Sequence, residues 1–447
     1  MTSQELDEII HCTDDCWYFL TTYVFTEHPT KGALLYPNYH FLKEVVMHMN
    51  LNRFTLFPKS RQMLVTWTAI SYLLWCALFH SSGLFLFISR TERCAEELVV
   101  RALFIYNHLP NFLKPSLLTK SKEAITFEGL GSRILSLPAV PDAPRMHSPT
   151  AVFWDEFAFT PFSDQIWTAL QPSLNSGAKF IGVSSSNGPS GCFYDLLQTA
   201  DLKGFKTHSV HYSAHPEHDS EWENVARLGL SRDSWEREME ISFDAPSIIV
   251  YNEFQPKLHI TSTNININPN RPIFRSVDFG FQHPHVLWLS EISEGNILIF
   301  DEFCGENLTT AQLALEIDRI DKTHDIDELN VHWTAADPAG GQPTDAGISQ
   351  AETLQRHGIK LRYRNSHIPA GIELVKTYLL DAFNQVHLQI LPRCVHIIEH
   401  MQRYRWDPKH DTPVKDGIND HSMDALRYFF VNYHSQTVSH KAKVSGA

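Results

Sequence analysis

Seven cysteines are scattered through 447 residues and none forms a C-x-x-C pair. That removes the usual signatures of a zinc ribbon or a dithiol redox centre. Cys12 and Cys16 lie one helical turn apart and read as a solvent-shielded thiol pair, so a reducing cytoplasm fits. Positive charge is also scarce: 37 Lys and Arg against 51 Asp and Glu, a formal net charge of -14. Such a chain does not adhere to nucleic acid by bulk charge. A basic groove would have to be local, and a partner would help to hold a polyanion. No apolar run is long and clean enough for a membrane. The most apolar stretch, "ISYLLWCALFHSSGLFLFI", is broken by His80, Ser81, Ser82 and Gly83 and reads as a buried helix followed by a buried strand. The opening "MTSQELDEII" lacks a basic start and an apolar core, so no secretory signal is expected.

One further absence is local. The stretch "FPKSRQMLVTW", Phe57 to Trp67, stands between an apolar strand-like run and a long helix-like run, where a phosphate-binding loop would lie, yet it has no glycine. Strand-like runs before residue 190 are "RFTLF", "GLFLFI", "AITFE", "RILSLP", "AVFWDE" and "KFIGVSSS", with helix-like runs after the first, second and fifth. This predicts a mostly parallel α/β sheet. The segment Asn252 to Pro272, rich in Asn, Thr and Pro, reads as an inter-domain linker. The expected division is therefore 1–251, a linker over 252–272, and 273–447. After it come three strands at hairpin spacing, a helix, the strand "LNVHWTAAD" and a final helix near "SMDALRYFFVNY". Three antiparallel strands followed by strand and helix alternation is the order of an RNase H-like fold.

Carboxylates mark two candidate sites. "TAVFWDEFAF" is a buried strand ending in Asp155 and Glu156. The first acid at such an end can orient a magnesium ion beside phosphates, and the second can position or deprotonate an attacking water. The plain alternative is a strand end capped by solvated acids. Lys59, Arg61, Gln62 and Thr66 upstream, and the polar strand end Ser184, Ser185, Ser186 and Asn187 downstream, strengthen the functional reading. In the second half, Asp278 is expected in the middle of an otherwise apolar strand, Asp337 ends another, and Asp424 lies on the last helix with Asp420 and His421 on the same face. A buried carboxylate needs a cation to stay charged. Three such acids can hold two magnesium or manganese ions, which activate water and stabilise the leaving oxygen of a phosphodiester. The plain alternatives are a turn acid at Asp337 and a helix N-terminal acid at Asp420. Asp301 and Glu302 form a further candidate pair, equally readable as a solvated strand end.

In their order along nearly the whole chain, "LLYPNYHFLKEVV", "FPKSRQMLVTW", "RMHSPTAVFWDE", "VSSSN", "SVDFGF" and "DHSMDALRY" resemble the large terminase subunit of tailed bacteriophages. The resemblance implies an N-terminal P-loop ATPase of the additional-strand class joined to an RNase H-like nuclease. It implies that Lys59, Ser60, Arg61, Gln62 and Thr66 bind ATP, with Leu64 and Val65 standing where Gly-Lys is usual and Lys59 replacing that lysine. Asp155 would hold the magnesium that accompanies ATP, Glu156 would be the catalytic carboxylate, and Ser184 to Asn187 would couple hydrolysis to movement. Arg145 occupies the place of an R-G pair, and Tyr36 or Asn38 the region of an adenine-reading residue. Asp278, Asp337 and Asp424 would ligate two magnesium or manganese ions with His421 auxiliary, and Arg356, Lys360, Arg362 and Arg364 would touch DNA. The implied partners are double-stranded DNA, a small terminase subunit and the portal protein of a procapsid. On the portal the chain would form a ring of five; free, it would be a monomer. The implied place is the cytoplasm of an infected bacterium, with no membrane and no presence in the mature virion. Rival readings are an ATP-assisted recombinase or nuclease outside packaging, and a degenerate ATPase that only binds DNA and portal.

Overall fold

The computed structural model describes residues 2–80, 82–244, 248–261, 271–279, 283–342, 348–407 and 412–444, with side chains of the last helix described to Ser435. The chain divides into two compact units, Met1–Asn224 with Glu236–Pro246, and Val225–Trp235 with Ser247–Ala447.

The first unit is built on an eight-stranded sheet and a small hairpin. The hairpin pairs β1 (Phe25–His28) with β2 (Gly32–Leu35). The sheet strands are β3 (Phe54–Pro58), β4 (Leu84–Ile88), β5 (Leu117–Lys120), β6 (Ala124–Phe127), β7 (Arg133–Leu137), β8 (Ala151–Asp155), β9 (Lys179–Ser184) and β10 (Lys206–Thr207). Their order is β10-β3-β9-β8-β4-β7-β6-β5. The run from β10 to β7 is parallel, and β6 and β5 close the edge antiparallel. The central strands read as continuous apolar runs because helices cover both faces. The helix Val65–Phe79 is buried almost all round, as its lack of a polar face predicts. β9 lies between β3, which feeds the glycine-free loop, and β8, which carries Asp155. It is the additional strand that the fold expectation requires.

The second unit holds a six-stranded sheet of β11 (Ile273–Asp278), β12 (His285–Ser293), β13 (Asn296–Cys304), β14 (Val331–Ala336), β15 (Leu361–Arg362) and β16 (Leu388–Ile390). Its order is β15-β14-β11-β12-β13-β16. β11, β12 and β13 form the expected antiparallel meander, and β14 returns parallel to β11. The helix Asn419–Val444 crosses this sheet, fastened where Ser276 Oγ donates to the Ala425 carbonyl at 2.5 Å.

The structure draws the boundaries differently from composition. Val250, Tyr251 and Phe254 are buried in the core of the second unit, so the chain joins that core before the Asn-rich stretch begins. Glu253 and His259 are buried too, in a region read as linker. Residues 262–270 of that segment, like Met1, Ser81 and 280–281 in the stretches quoted above, lie outside the described residues. Val225–Trp235 belongs to the second unit: Arg227 donates to the Ala382 carbonyl at 2.6 Å and the Ser231 amide donates to Glu373 at 3.1 Å. The apolar run with interrupting polar residues is the helix Val65–Phe79 and then β4. Among the described residues no helix is long and apolar enough to cross a membrane. All seven cysteines are free, and burial pushes the Cys12 thiol up to about 12.

Candidate functional site

The glycine-free loop runs from β3 into the helix Val65–Phe79. It takes the left-handed backbone without glycine: Gln62 has φ 60° and Leu64 φ 56°. Side chains rarely adopt that conformation, so the turn is held by its surroundings. The amides of Lys59, Ser60 and Arg61 are already bonded, to the carbonyls of Ser184, Val210 and Glu238. Those of Leu64 to Trp67 find no acceptor among the described residues, the condition of a helix N-terminus facing an anion.

Across the loop stands the end of β8. Lys59 Nζ reaches Glu156 Oε1 at 3.2 Å, and Thr66 Oγ1 donates to Asp155 Oδ1 at 2.9 Å. Burial pushes the Asp155 carboxyl up to about 6, against the pull of Lys59. A cation beside it would relieve that cost. Thr66 and Asp155 together offer a hydroxyl and a carboxylate, hard oxygen donors of the kind magnesium takes. Glu156 itself has φ 48°, a second strained position at the site.

β9 touches both sides. The Ser184 carbonyl accepts the Lys59 amide at 3.0 Å. Ser184 Oγ accepts the Ala158 amide at 3.1 Å, and Asn187 Nδ2 donates to the Ala158 carbonyl at 2.9 Å. The turn that follows Glu156 is thus clamped to the strand that holds the loop.

Two cavities flank the loop. One, about 570 Å³, includes Arg61, Thr66, Arg90, Arg101, Asp155 and Glu156 in its wall. The other, about 950 Å³, lies between the hairpin and the loop, with Tyr39, Lys59, Gln62, Arg101, His215 and His218 among its lining. Tyr39 meets the His215 ring edge-on at 4.8 Å, and His215 stacks on His218 at 4.1 Å. Nothing in the local sequence pattern marks these rings, the hairpin, Arg90 or Arg101.

Not every expected residue faces a cavity. Ser60 is fully buried: its hydroxyl donates to the Met239 carbonyl at 2.5 Å and accepts the Tyr212 amide at 2.9 Å, so it fastens the loop rather than facing a nucleotide. Tyr36 is spent in the core on Thr68 Oγ1 at 2.6 Å. Arg145 is exposed and paired with Asp142 at 3.2 Å.

In the second unit, Asp278 is the last residue of β11 and not a mid-strand acid as expected, and the register Val277↔Ala336 places it beside Asp337 at the ends of two parallel strands. Asp424 lies beside Ala425, whose carbonyl is tied to β11. Tyr428 is held above its ordinary value by burial and then by the charges of Asp424, Asp278 and Asp337. His421 Nδ1 stands 3.5 Å from Asp278 Oδ2, and that bond raises the imidazole above its ordinary value. Burial raises the Asp420 carboxyl, whose Oδ1 is buried without a hydrogen-bond partner among the described residues.

The three carboxylates do not converge. Among the described residues no group of three His, Cys, Asp or Glu side chains is placed to hold a metal ion. The reason is local competition. Asp424 is drawn to Arg427 Nη2 at 2.8 Å and Lys415 Nζ at 3.1 Å, and Asp337 Oδ1 accepts the Ala339 amide of its own turn at 2.9 Å. In kind, the oxygen-only set and the orphaned Asp420 oxygen suit a hard divalent cation. Asp301 and Glu302 are spent structurally: Asp301 pairs with His324 at 2.5 Å, while Glu302 pairs with His285 and caps a helix through the amides of His396 and Ile397. Arg356 is paired with Glu352 at 2.7 Å, and Arg362 lies over the Trp333 ring.

No protein-family model matches the sequence. In fold, the chain is similar to the large terminase of a thermophilic bacteriophage solved with ADP, with a TM-score of 0.53, 17% identity, and cover of 88% of this chain and 98% of that chain. The same terminase with ATP-gamma-S gives 0.51 at 18% identity and the same cover. The HK97 bacteriophage large terminase gives 0.42 at 12% identity over 84% of this chain and 90% of that one. Over most of its length the chain is thus similar in fold to a phage large terminase.

Proposed function

We propose that the protein is a viral DNA-packaging motor: an ATPase in the first unit that drives double-stranded DNA into a procapsid, and a metal-dependent endonuclease in the second that cuts concatemers. The observation that carries this reading is the meeting of loop and acids, with Lys59 on Glu156 and Thr66 on Asp155, across a sheet whose extra strand touches both.

The cavities beside the loop receive ATP, its phosphates towards the open amides of the helix Val65–Phe79. Lys59 supplies charge from the front of the loop. Thr66 and Asp155 would hold the magnesium ion, which would neutralise charge between the phosphates. Glu156 positions and deprotonates the attacking water; freeing it for that task requires Lys59 to turn from it to phosphate. Ser184 and Asn187, clamped to the Ala158 turn, carry that change to β9. In the second unit Asp278, Asp337 and Asp424 would hold two magnesium or manganese ions, whose chemistry is water activation and leaving-group stabilisation. For that, Asp424 gives up Lys415, the more exposed of its two cations. His421 steadies Asp278. By the same reading the motor works as a ring of five on the portal in the host cytoplasm, and a small terminase subunit selects the DNA.

The test is turnover and packaging by wild type, Lys59→Ala and Glu156→Ala, with DNA and portal-bearing procapsids. Wild type should hydrolyse ATP and protect DNA from added nuclease, and Glu156→Ala should lose roughly 10²- to 10⁴-fold in turnover. Equal inactivity of all three would remove the ATPase half. Plasmid cleavage in manganese should vanish in Asp278→Ala; cleavage that survives would remove the nuclease half.

A further inference from the structure

The loop has no lysine at its end. Val65, which stands there, is only 1% exposed and serves the core. Of the two cations of the loop, Arg61 is engaged with Glu238 at 3.1 Å, and Lys59, 3.2 Å from Glu156, brings a single charge once it turns to phosphate. A triphosphate arriving here needs another positive group.

Arg101, on the helix Glu92–His108, is placed to be that group. It borders both cavities, and so stands where the loop divides them. Its guanidinium lies over the Trp67 ring at 5.3 Å, and Trp67 follows Thr66 in the chain. Its side chain is 33% exposed, and its nearest carboxylate oxygen, on Glu97, is 3.8 Å away. Among the described residues its guanidinium makes no hydrogen bond of good geometry. Its N–H donors are therefore open to the cavities and available to an anion that enters them. The Trp67 ring against the guanidinium restricts its motion in advance, so less freedom is lost when an anion is gripped. The charge also reaches Asp155, where it helps to hold the buried carboxyl down.

We propose that Arg101 is a phosphate-binding residue that grips the terminal phosphate of ATP, replacing from a neighbouring helix the charge that the loop lacks at Val65. This rests on the nucleotide reading of the first unit. It assigns the preference for a triphosphate over a diphosphate to Arg101, with Trp67 as its platform. An arginine that merely packs on Trp67 would affect stability and leave phosphate number unread.

The experiment is equilibrium binding of ATP-gamma-S and of ADP, each with magnesium, to the full chain as wild type, Arg101→Ala and Arg101→Lys, with thermal unfolding of each. Arg101→Ala should weaken ATP-gamma-S on the order of tenfold or more, the loss of a charge-assisted pair of hydrogen bonds. Its ADP affinity should stay within about twofold, below 0.5 kcal/mol. Arg101→Lys should fall between, because a point charge lacks the fork. If Arg101→Ala binds ATP-gamma-S like wild type, or loses both nucleotides equally, the assignment is overturned. If Arg101→Ala does not fold, Arg101→Lys and Arg101→Gln carry the same comparison. Wild type that binds neither nucleotide would defeat the nucleotide reading itself, and this assignment with it.

Discussion

In the first unit the two acids are adjacent on one strand end and meet their partners, Lys59 and Thr66, from the loop of another strand of the same sheet. In the second, three acids come from two strand ends and a helix, and at least two of them have found satisfaction apart from the others: Asp424 with Arg427 and Lys415, Asp337 with its own turn. The difference teaches what a strand end can preset. Neighbouring residues on one strand are fixed by covalent geometry, and a sheet register delivers the opposing loop. Acids drawn from three elements repel one another, and each settles on the nearest local donor until a cation repays the approach. The two sites also build their turns oppositely. The loop of the first unit uses left-handed Gln62 and Leu64 with no glycine, whereas the turn behind Asp337 depends on one: a Cβ on Gly340 would stand 2.3 Å from the Phe279 ring.

The contrast can be broken most forcefully at Asp155. Its folded-state value lies above the ordinary 3.8, at about 6. The folded carboxyl therefore keeps its proton up to about pH 6, while the unfolded chain loses it near 3.8. Wild type loses stability as pH rises through that window and stays lower above it. Asp155→Asn lacks this loss, so its advantage over wild type should grow from about pH 4 to about pH 6 and then level off, at up to about 3 kcal/mol. Urea unfolding over a pH series measures it. An advantage that is flat with pH would mean that the acid is not held against its solvation as described.

A smaller effect is expected at Gly340. Gly340→Ala should cost about 2 kcal/mol by overpacking against Phe279 and should weaken plasmid cleavage by moving the Asp337 turn. Unfolding and cleavage assays on the same variant check both parts; full cleavage with unchanged stability would show that the turn yields freely. The smallest effect is the inverse substitution in the first unit. Gln62→Gly should stabilise by about 1 kcal/mol or less, because glycine accepts the φ of 60° that glutamine resists. A loss of stability in urea would mean that the glutamine side chain holds the loop through its own contacts.

Much of the architecture was legible because it is periodic. "RFTLF", "AVFWDE" and "KFIGVSSS" name their own strands, and the pause between "VDFGF" and "HVLWL" names a hairpin. Asp155, Glu156 and Asp278 could be singled out because acids at or near the ends of apolar runs stand against their surroundings. Ser60 shows where this stops: a serine beside Lys59 looks like a phosphate ligand, and only the carbonyl of Met239, 179 residues away, makes it a fastener. Tyr36 was drawn into the core in the same way, by Thr68. Arg101 had no signal at all, since an arginine on an amphipathic helix is ordinarily a solvated one.

The sequence by itself determined the order of strands and helices, the placing of acids at strand ends, and the want of glycine and terminal lysine in the loop. These depend on neighbours along the chain, through periodicity and burial. The tertiary structure decided which cation faces which acid, that β9 stands between the loop strand and the acidic strand, that Val225–Trp235 belongs with the second unit, and that Arg101 lies over the Trp67 ring at the border of both cavities. Those facts depend on which elements pack side by side, and a side chain's partners across a sheet or helix pair leave no trace in the residues next to it.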